Sequence, residues 1–403
     1  MIDATRVYLA NGFIRGACER AFWPLFFTRL VTEVELSPLQ LVLLGTVFEI
    51  AIFTSEIPTG VVADLYSRRL SVILSYALGG IAIVVSAFVE PYWALIVGQA
   101  LIGVASTFHS GAETAWITDE LGSPEAAEEI ILRRARLQIV GSVVGIGLFS
   151  LLAVITSLST SLATAGGIFV IWSLALPFVM GEHGFTRTPG QGWRDFMAMV
   201  TLGMAQVRRV RVLRILATVI VIGGVAKEAI DRLDIRRLDD VGFPSDIDEA
   251  LLVGALVAIR LLLSAALLTV AQRRIRGVSV VPAMVGMLLV TAAGIAALAH
   301  VELFAIAALG MVVQGGFHGA TQPLAALWTN TFATDQARAT IHSFIGQCES
   351  IGEVIGGIAL GAVAEVFTVP TAMTISAILF VGSAFYARAA RTAWHDPPDL
   401  IVR

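Results

Sequence analysis

Leu39 to Val62 and Leu70 to Val89 are two long apolar runs joined by a short charged hinge, and runs of the same kind recur along the whole chain. Each is close to the ~20 residues that a helix needs to cross a hydrocarbon core. Recurrence at that length predicts an all-helical protein that crosses a membrane many times. Composition agrees: of 403 residues, 57% are hydrophobic and 14% charged, whereas charged residues make up about a quarter of a soluble domain. The formal net charge of −4 says little about partners, because in a membrane protein it matters which loops carry the arginines.

Charges, prolines and short polar turns bound twelve candidate spans. The first six are Val7–Val31, Leu39–Val62, Leu70–Val89, Tyr92–Ile117, Ala135–Ser157 and Leu162–Met180. The second six are Val212–Leu233, Ala250–Val270, Val278–Ala299, Leu303–Thr329, Ile341–Glu365 and Val369–Ala387. Gly181 to Arg211 is the longest polar stretch, so the chain is expected to divide into a six-helix bundle at 1–181, a linker at 182–211, and a second bundle with a short tail at 212–403. Within the linker, Trp193, Phe196, Met197, Val200, Met204 and Val207 follow helical spacing and lead into Arg208, Arg209 and Arg211. That pattern fits an amphipathic helix on the membrane surface, and equally a connector covering one face of the bundle.

Loop charge sets the expected orientation. Arg68 and Arg69, then Arg133, Arg134 and Arg136, then Arg187, Arg194, Arg208, Arg209 and Arg211, then Arg273, Arg274 and Arg276, then Arg338, then Arg388 and Arg391 fall on alternate loops, the side of both termini. The positive-inside rule makes that side cytoplasmic, and the expected location is the inner (plasma) membrane. The opposite loops are short or acidic, as at Glu33 and Glu35 or Asp239 and Asp240, with Arg236 and Arg237 the exception. No cleavable signal peptide is expected, since the first apolar run carries Arg15, Glu19 and Arg20.

The hinge reads Gly60-Val61-Val62-Ala63-Asp64-Leu65-Tyr66-Ser67-Arg68-Arg69 and follows Glu56-Ile57-Pro58-Thr59. It resembles the loop signature between helices 2 and 3 of the major facilitator superfamily, with Gly60, Asp64, Arg68 and Arg69 in register and Ser67 in place of the second glycine. The Glu-Ile-Pro-Thr-Gly string is similar to the efflux-type members. The resemblance implies two pseudo-symmetric six-helix bundles and secondary transport by alternating access. It also implies a gating role for Asp64, whose carboxylate would accept N–H groups at the start of span 11 while pairing with Arg68 or Arg69. The equivalent loop of the second half, Ala271 to Gly277, keeps arginines but has no aspartate, so such a lock is one-sided. Drug–proton antiporters of the family often carry an arginine in span 4, where this chain has Gln99; Arg15 or Arg20 would then supply the positive charge.

The two halves repeat in detail. Gly111 to Trp116 is followed by Arg136 and the glycines Gly141, Gly145 and Gly147; Gly319, Ala320 and Trp328 are followed by Arg338 and Gly352, Gly356, Gly357 and Gly361. Parallel repeats suit a transporter with its substrate site between two halves. The glycines also suit ordinary close helix packing. The Gly-Pro pair of the family's antiporters is absent from both halves.

Ionisable groups inside the spans are the next signal, because one at mid-membrane costs roughly 2.5–3.5 kcal/mol on insertion scales unless it is paired or faces water. Glu19, Glu49, Arg260 and Glu353 fall near the middles of spans 1, 2, 8 and 11, with Arg15 one helical turn before Glu19 and Arg20 beside it. Gln314 and His318 sit mid-span in span 10. These eight residues are the candidate proton-coupling and substrate cavity. Lys227, Glu228, Asp231 and Arg232 crowd span 7 at a spacing that lets them pair internally. A packed or water-facing role is expected for His109 and His318 rather than a metal site, Glu113 being the one nearby ligand at helical spacing. Cys18 and Cys348 both lie in apolar runs and are expected to be packed thiols.

No nucleotide-binding loop occurs, and Lys227 is the single lysine, so neither ATP nor nucleic acid is an expected partner, and no cofactor or enzyme activity is expected. Taken with the resemblance, the expectation is a monomer in the lipid bilayer that exports a small organic, amphiphilic substrate of multidrug type in exchange for protons. Import of a nutrient, lipid flipping on the same fold, and a receptor or scaffold that transports nothing stand as alternatives.

Overall fold

The computed structural model describes residues 3–186, 201, 204–205, 207–208, 210–274, 280–332 and 338–393. Trp193, Phe196, Met197 and Val200 of the amphipathic segment, Arg187, Arg194, Arg209 and Arg276 of the loops, and the tail beyond Ala393 lie outside the described residues. Those described form thirteen helices and no strand: α1 (Ala4–Thr32), α2 (Pro38–Leu65), α3 (Arg68–Phe88), α4 (Tyr92–His109), α5 (Ala112–Leu121), α6 (Pro124–Ile155), α7 (Leu158–Val179), α8 (Arg211–Val241), α9 (Glu249–Arg274), α10 (Val281–His300), α11 (Phe304–Phe332), α12 (Arg338–Val366) and α13 (Val369–Ala393). With α4 and α5 counted as one broken span, this is the expected set of twelve.

Among the described residues, nine stretches are long and apolar enough to cross a membrane. The other three helices, α1, α8 and α12, each carry two or more charges inside the span: Arg15, Glu19 and Arg20, the Lys227 to Arg232 cluster, and Glu349 and Glu353. Large apolar side chains such as Phe178, Ile171, Ile155 and Val366 stand mostly in the open, at 69–86% exposure. On a protein in water this would be a defect; on the outer face of a bundle in lipid it is the expected surface.

Local chemistry explains the helix starts. Ser67, Ser123 and Ser157 each cap a helix by accepting the N–H of Leu70, Ala126 or Thr160, and Pro124 occupies the first turn of α6, where its missing N–H costs nothing. Several boundaries differ from expectation, span 7 for one running to Val241 rather than Leu233 and taking in Arg236 to Asp240, and two of the differences shape the polar interior. Span 5 begins at Pro124 rather than Ala135, because the Ser-Pro cap starts the helix in a polar stretch that hydropathy assigns to a loop. Span 4 breaks at Ser110 and Gly111, where Gly111 has φ +74, a conformation open to glycine but strained for other residues.

The chain forms two compact units. Unit 1 comprises Met1–Leu36, Val47–Phe196 and Ser245–Ala258; unit 2 comprises Ser37–Thr46, Met197–Pro244 and Ile259–Arg403. In unit 1, α1 lies against α6 and α3 against α4 and α7. In unit 2, α8 lies against α12 and α13, and α10 against α11 and α13. The α9–α11 side of unit 2 is filled by Ala271, Val280, Met287, Ala320 and Leu324.

Each unit uses the same two devices. The first is a close approach: a methyl group at Gly145 of α6 would overlap the Ala17 backbone of α1, and one at Gly356 of α12 would overlap the Val225 backbone of α8. Small residues let helix backbones touch where lipid supplies no hydrophobic drive. The second is an arginine that caps a neighbouring helix end. Arg29 of α1, 3% exposed, donates to the Val89 carbonyl at 3.2 Å and to Ser159 Oγ at 3.1 Å. Arg237 of α8, 4% exposed, donates to the Leu298 carbonyl at 3.1 Å and pairs with Glu302 at 2.8 Å. Both satisfy terminal carbonyls that the helix itself leaves unpaired.

Candidate functional site

Among the described residues, the hinge has these contacts in unit 1. Ser67, besides capping α3, donates to Glu182 Oε2 at 2.6 Å, and the Arg69 N–H donates to Glu182 Oε1 at 2.9 Å. The Arg68 guanidinium pairs with Asp119 of α5, donates to the Ala115 carbonyl at 3.0 Å, and lies 4.0 Å from Asp64. The Arg69 side chain reaches the Pro177 carbonyl. Asp64 is therefore a distant partner of Arg68, whose main contact is Asp119. Gly60 has no neighbour within 4 Å of the position a Cβ would take. Trp116, fully buried, donates its indole N–H to the Gly181 carbonyl at 2.7 Å and ties α5 to the end of α7.

Deeper in unit 1 a polar chain runs through the bundle. Glu113, 2% exposed at the start of α5, pairs with Arg134 of α6 and lies 3.3 Å from His109 Nε2. The Arg134 guanidinium also contacts His109 at 3.2 Å and Gln138 at 3.2 Å, and its carbon lies 5.1 Å from the centre of the Tyr8 ring. Arg15 pairs with Glu19 at 2.7 Å, donates to Ser75 Oγ at 3.3 Å, and stands 6.0 Å over Tyr76. Tyr76 donates to the Asn11 carbonyl at 3.1 Å, and Trp172 donates to Asn11 Oδ1 at 2.7 Å. The break between α4 and α5 is what turns Glu113 inward. Glu49 is buried, Arg20 exposed, and Gln99 fully buried with neither amide atom hydrogen-bonded among the described residues.

Unit 2 holds the second polar interior. Lys227 of α8 bridges Glu353 of α12 at 2.6 Å and Asp231 at 3.3 Å. Arg232 pairs with Glu228 at 3.1 Å, and Arg260 of α9 pairs with Asp234 at 3.2 Å. Arg260 crosses Gly315 of α11, where a Cβ would come within 2.7 Å of its side chain. Gln314 Nε2 and both ring nitrogens of His318 are buried without a hydrogen-bond partner among the described residues. His318 packs edge-on to Phe380 and, with Gln322 and Glu349, lines a cavity of about 40 Å³.

The structure thus brings Glu353 to Lys227, Arg260 to Asp234, and Arg15 to Glu19. Several participants escape sequence reading, Asp119, Glu182 and Asp234 among them, and two others show why. Arg134 counts among loop charges there, but the early start of α6 places it inside the bundle. Glu113 is visible only as a neighbour of His109, because a carboxylate 21 residues from its cation gives no local pairing signal. Among the described residues no group of three or more His, Cys, Asp and Glu is placed to hold a metal ion.

The sequence profile of the Major Facilitator Superfamily matches residues 8–230. An uncharacterized MFS-type transporter of Bacillus subtilis (strain 168), YxaM, is 24% identical over 148 residues, 36% of this chain and 37% of that protein. The alignment therefore spans little over a third of that relative. Among solved structures, the nucleoside transporter NupG is similar at TM-score 0.78 and 14% identity, over 96% of this chain and 99% of that one. A bacterial homolog of the human lysosomal transporter Spinster, inward-facing and unoccupied, is similar at TM-score 0.76 and 13% identity, over 98% and 97%. A POT family transporter in complex with a thioalcohol-conjugated peptide is similar at TM-score 0.76 and 12% identity, over 96% of each chain. At these identities the likeness concerns the fold. The profile match covers more than half of the chain, which belongs to the Major Facilitator Superfamily and is a multi-pass membrane transporter.

Proposed function

We propose that the protein exports a small amphiphilic organic compound in exchange for protons, by alternating access, with its arginine-rich loops and both termini in the cytoplasm. The observation that carries this reading is that each unit keeps a buried carboxylate on a cation from another helix: Glu113 on Arg134, and Glu353 on Lys227. A buried pair is weak evidence for stability, since desolvation offsets much of the attraction. Its value in a membrane transporter is that it can be broken. A carboxylate separated from its cation in a dry bundle is cheaper protonated than charged, so a bound proton and a paired cation are alternatives. Each pair lies within one unit, so what breaks it is not the rocking itself but the water or substrate that rocking admits, which competes for the cation; the freed carboxylate then loads a proton, and re-forming the pair releases it.

In this reading Glu19, Glu49, Glu113 and Glu353 are the proton-handling groups. Arg15, Arg20, Arg134, Lys227 and Arg260 are the counter-charges, and Gln314 and His318 supply polar contacts to substrate. Asp64, with Arg68 and Arg69, acts at the gate. Export, rather than import, rests on the Glu-Ile-Pro-Thr-Gly string before the hinge.

The test begins with a thermal-shift screen of the purified protein against antibiotics, nucleosides, peptides, sugars and lipids, because a ligand of the folded state raises apparent stability by mass action. Counterflow of each hit in proteoliposomes follows. Accumulation driven by a pH gradient in the export direction supports the reading, uptake in the other direction replaces it with import, and binding with no counterflow by any hit contradicts transport of those compounds.

A further inference from the structure

At the end of unit 2 where α8 and α12 begin and α13 finishes, a cavity of about 690 Å³ opens to the surface. Its mouth carries Arg208, Arg211 and Arg214, all exposed; its deeper wall is apolar, with Val221, Ile222 and Phe344. Among the described residues, no aspartate or glutamate lines it. Among the described residues, none of the three guanidiniums has an ion-pair partner. From Arg211 to Ile222 the wall runs along α8 for about 16 Å, at ~1.5 Å per residue.

These features are not needed for transport through the bundle, and arginines that merely set topology have no reason to converge on a cavity with an apolar wall. Three unpartnered guanidiniums at the membrane edge suit a phosphate, which accepts paired, charge-assisted hydrogen bonds from arginine. The wall behind them has the length and character of an acyl chain's surroundings. Basic pockets between helices at a membrane face are a recognised setting for anionic headgroups. We propose that this cavity binds one anionic phospholipid, with its phosphate against Arg208, Arg211 and Arg214 and an acyl chain along Val221, Ile222 and Phe344. The occupant is lipid rather than free phosphate, because most of the wall would otherwise face water with nothing apolar against it.

Cys348 lines the same cavity and is half-buried, whereas Cys18 is 1% exposed, so the unmodified chain contains its own reporter. The experiment follows alkylation of Cys348 by N-ethylmaleimide, located by peptide mass mapping, in purified full-length protein. Phosphatidylglycerol, phosphatidylcholine with the same acyl chains, or inorganic phosphate is added to separate samples. The expected result is several-fold slower alkylation with phosphatidylglycerol and little change with the other two. Equal protection by both lipids means an unselective greasy surface, and protection by phosphate alone means a simple anion site; either overturns the proposal, as does no protection at all.

The Arg208→Gln/Arg211→Gln/Arg214→Gln variant should lose the selective protection, and the corresponding triple lysine variant should keep most of it. Selective protection that survives in a monodisperse triple glutamine variant places the lipid elsewhere and overturns the assignment. If the glutamine variant does not yield folded protein, the wild-type comparison of the two lipids still decides.

Discussion

Lys227 Nζ lies 2.6 Å from Glu353 Oε1, so the chain's one lysine joins α8 to α12 through a carboxylate that is itself buried. Removing either partner leaves the other exposed to a low-dielectric interior, and removing both does not. Lys227→Met and Glu353→Gln should each lower the apparent melting temperature, and the double variant should be more stable than the sum of the two losses implies. A coupling on the order of 1–3 kcal/mol is expected. Additive losses, measured by thermal unfolding in detergent, mean the pair is not an energetic unit.

Arg29 and Arg237 are expected to behave differently, because each caps the end of a neighbouring helix rather than holding a carboxylate in a cavity. Arg29→Gln and Arg237→Gln should each destabilise the protein by about 1–3 kcal/mol, the cost of buried carbonyls left unpaired. Transport per folded molecule should be almost unchanged. A variant with full stability and lost turnover would move these arginines into the transport machinery.

The glycines provide a steric contrast. Gly145→Ala and Gly356→Ala place a methyl group on a facing backbone, whereas Gly147 and Gly346 have nothing within 4 Å of a Cβ. Folded yield should fall sharply for the first two and hold for Gly147→Ala and Gly346→Ala. Equal yields across the four would show that the α1–α6 and α8–α12 contacts tolerate separation.

Much of this was legible in the sequence. Span number, helix type and the paired helix interiors follow from the length of the apolar runs and the placement of charges, since an unpaired ion in lipid is too costly to be accidental. Arg236 and Arg237 break the loop-charge rule, and the structure supplies the reason: Arg236 pairs with Asp240 at 3.0 Å and Arg237 with Glu302, so both are neutralised where they stand. What hydropathy misses is helix that continues outside the apolar run. The extension of α6 back to Pro124 carries Arg134 inward, and the turn at Gly111 carries Glu113 toward it; neither leaves a periodic trace. Pairings such as Arg260 with Asp234 are tertiary, joining helices whose register hydrophobic spacing does not specify.

At the hinge, Arg68 is anchored by Asp119 and the Ala115 carbonyl while Asp64 stands 4.0 Å away, leaving the Asp64 carboxylate available to a gate. Asp64→Asn should lower turnover about tenfold, equivalent to about 1.4 kcal/mol, with membrane abundance nearly unchanged by immunoblot. Asp119→Asn, which removes the main anchor of Arg68, should reduce abundance as well. Wild-type turnover in Asp64→Asn would exclude the gate.

The central claim, exchange of substrate for protons through buried carboxylates, is tested most directly by uphill movement of an identified substrate into or out of proteoliposomes under an imposed pH gradient. Wild type should concentrate the substrate against its gradient and stop when a protonophore is added. Glu113→Gln and the Glu19→Gln/Glu49→Gln double variant should lose that uphill movement while still exchanging labelled for unlabelled substrate across the membrane. Uphill movement that is indifferent to the pH gradient, and equal in wild type and both variants, would contradict the account.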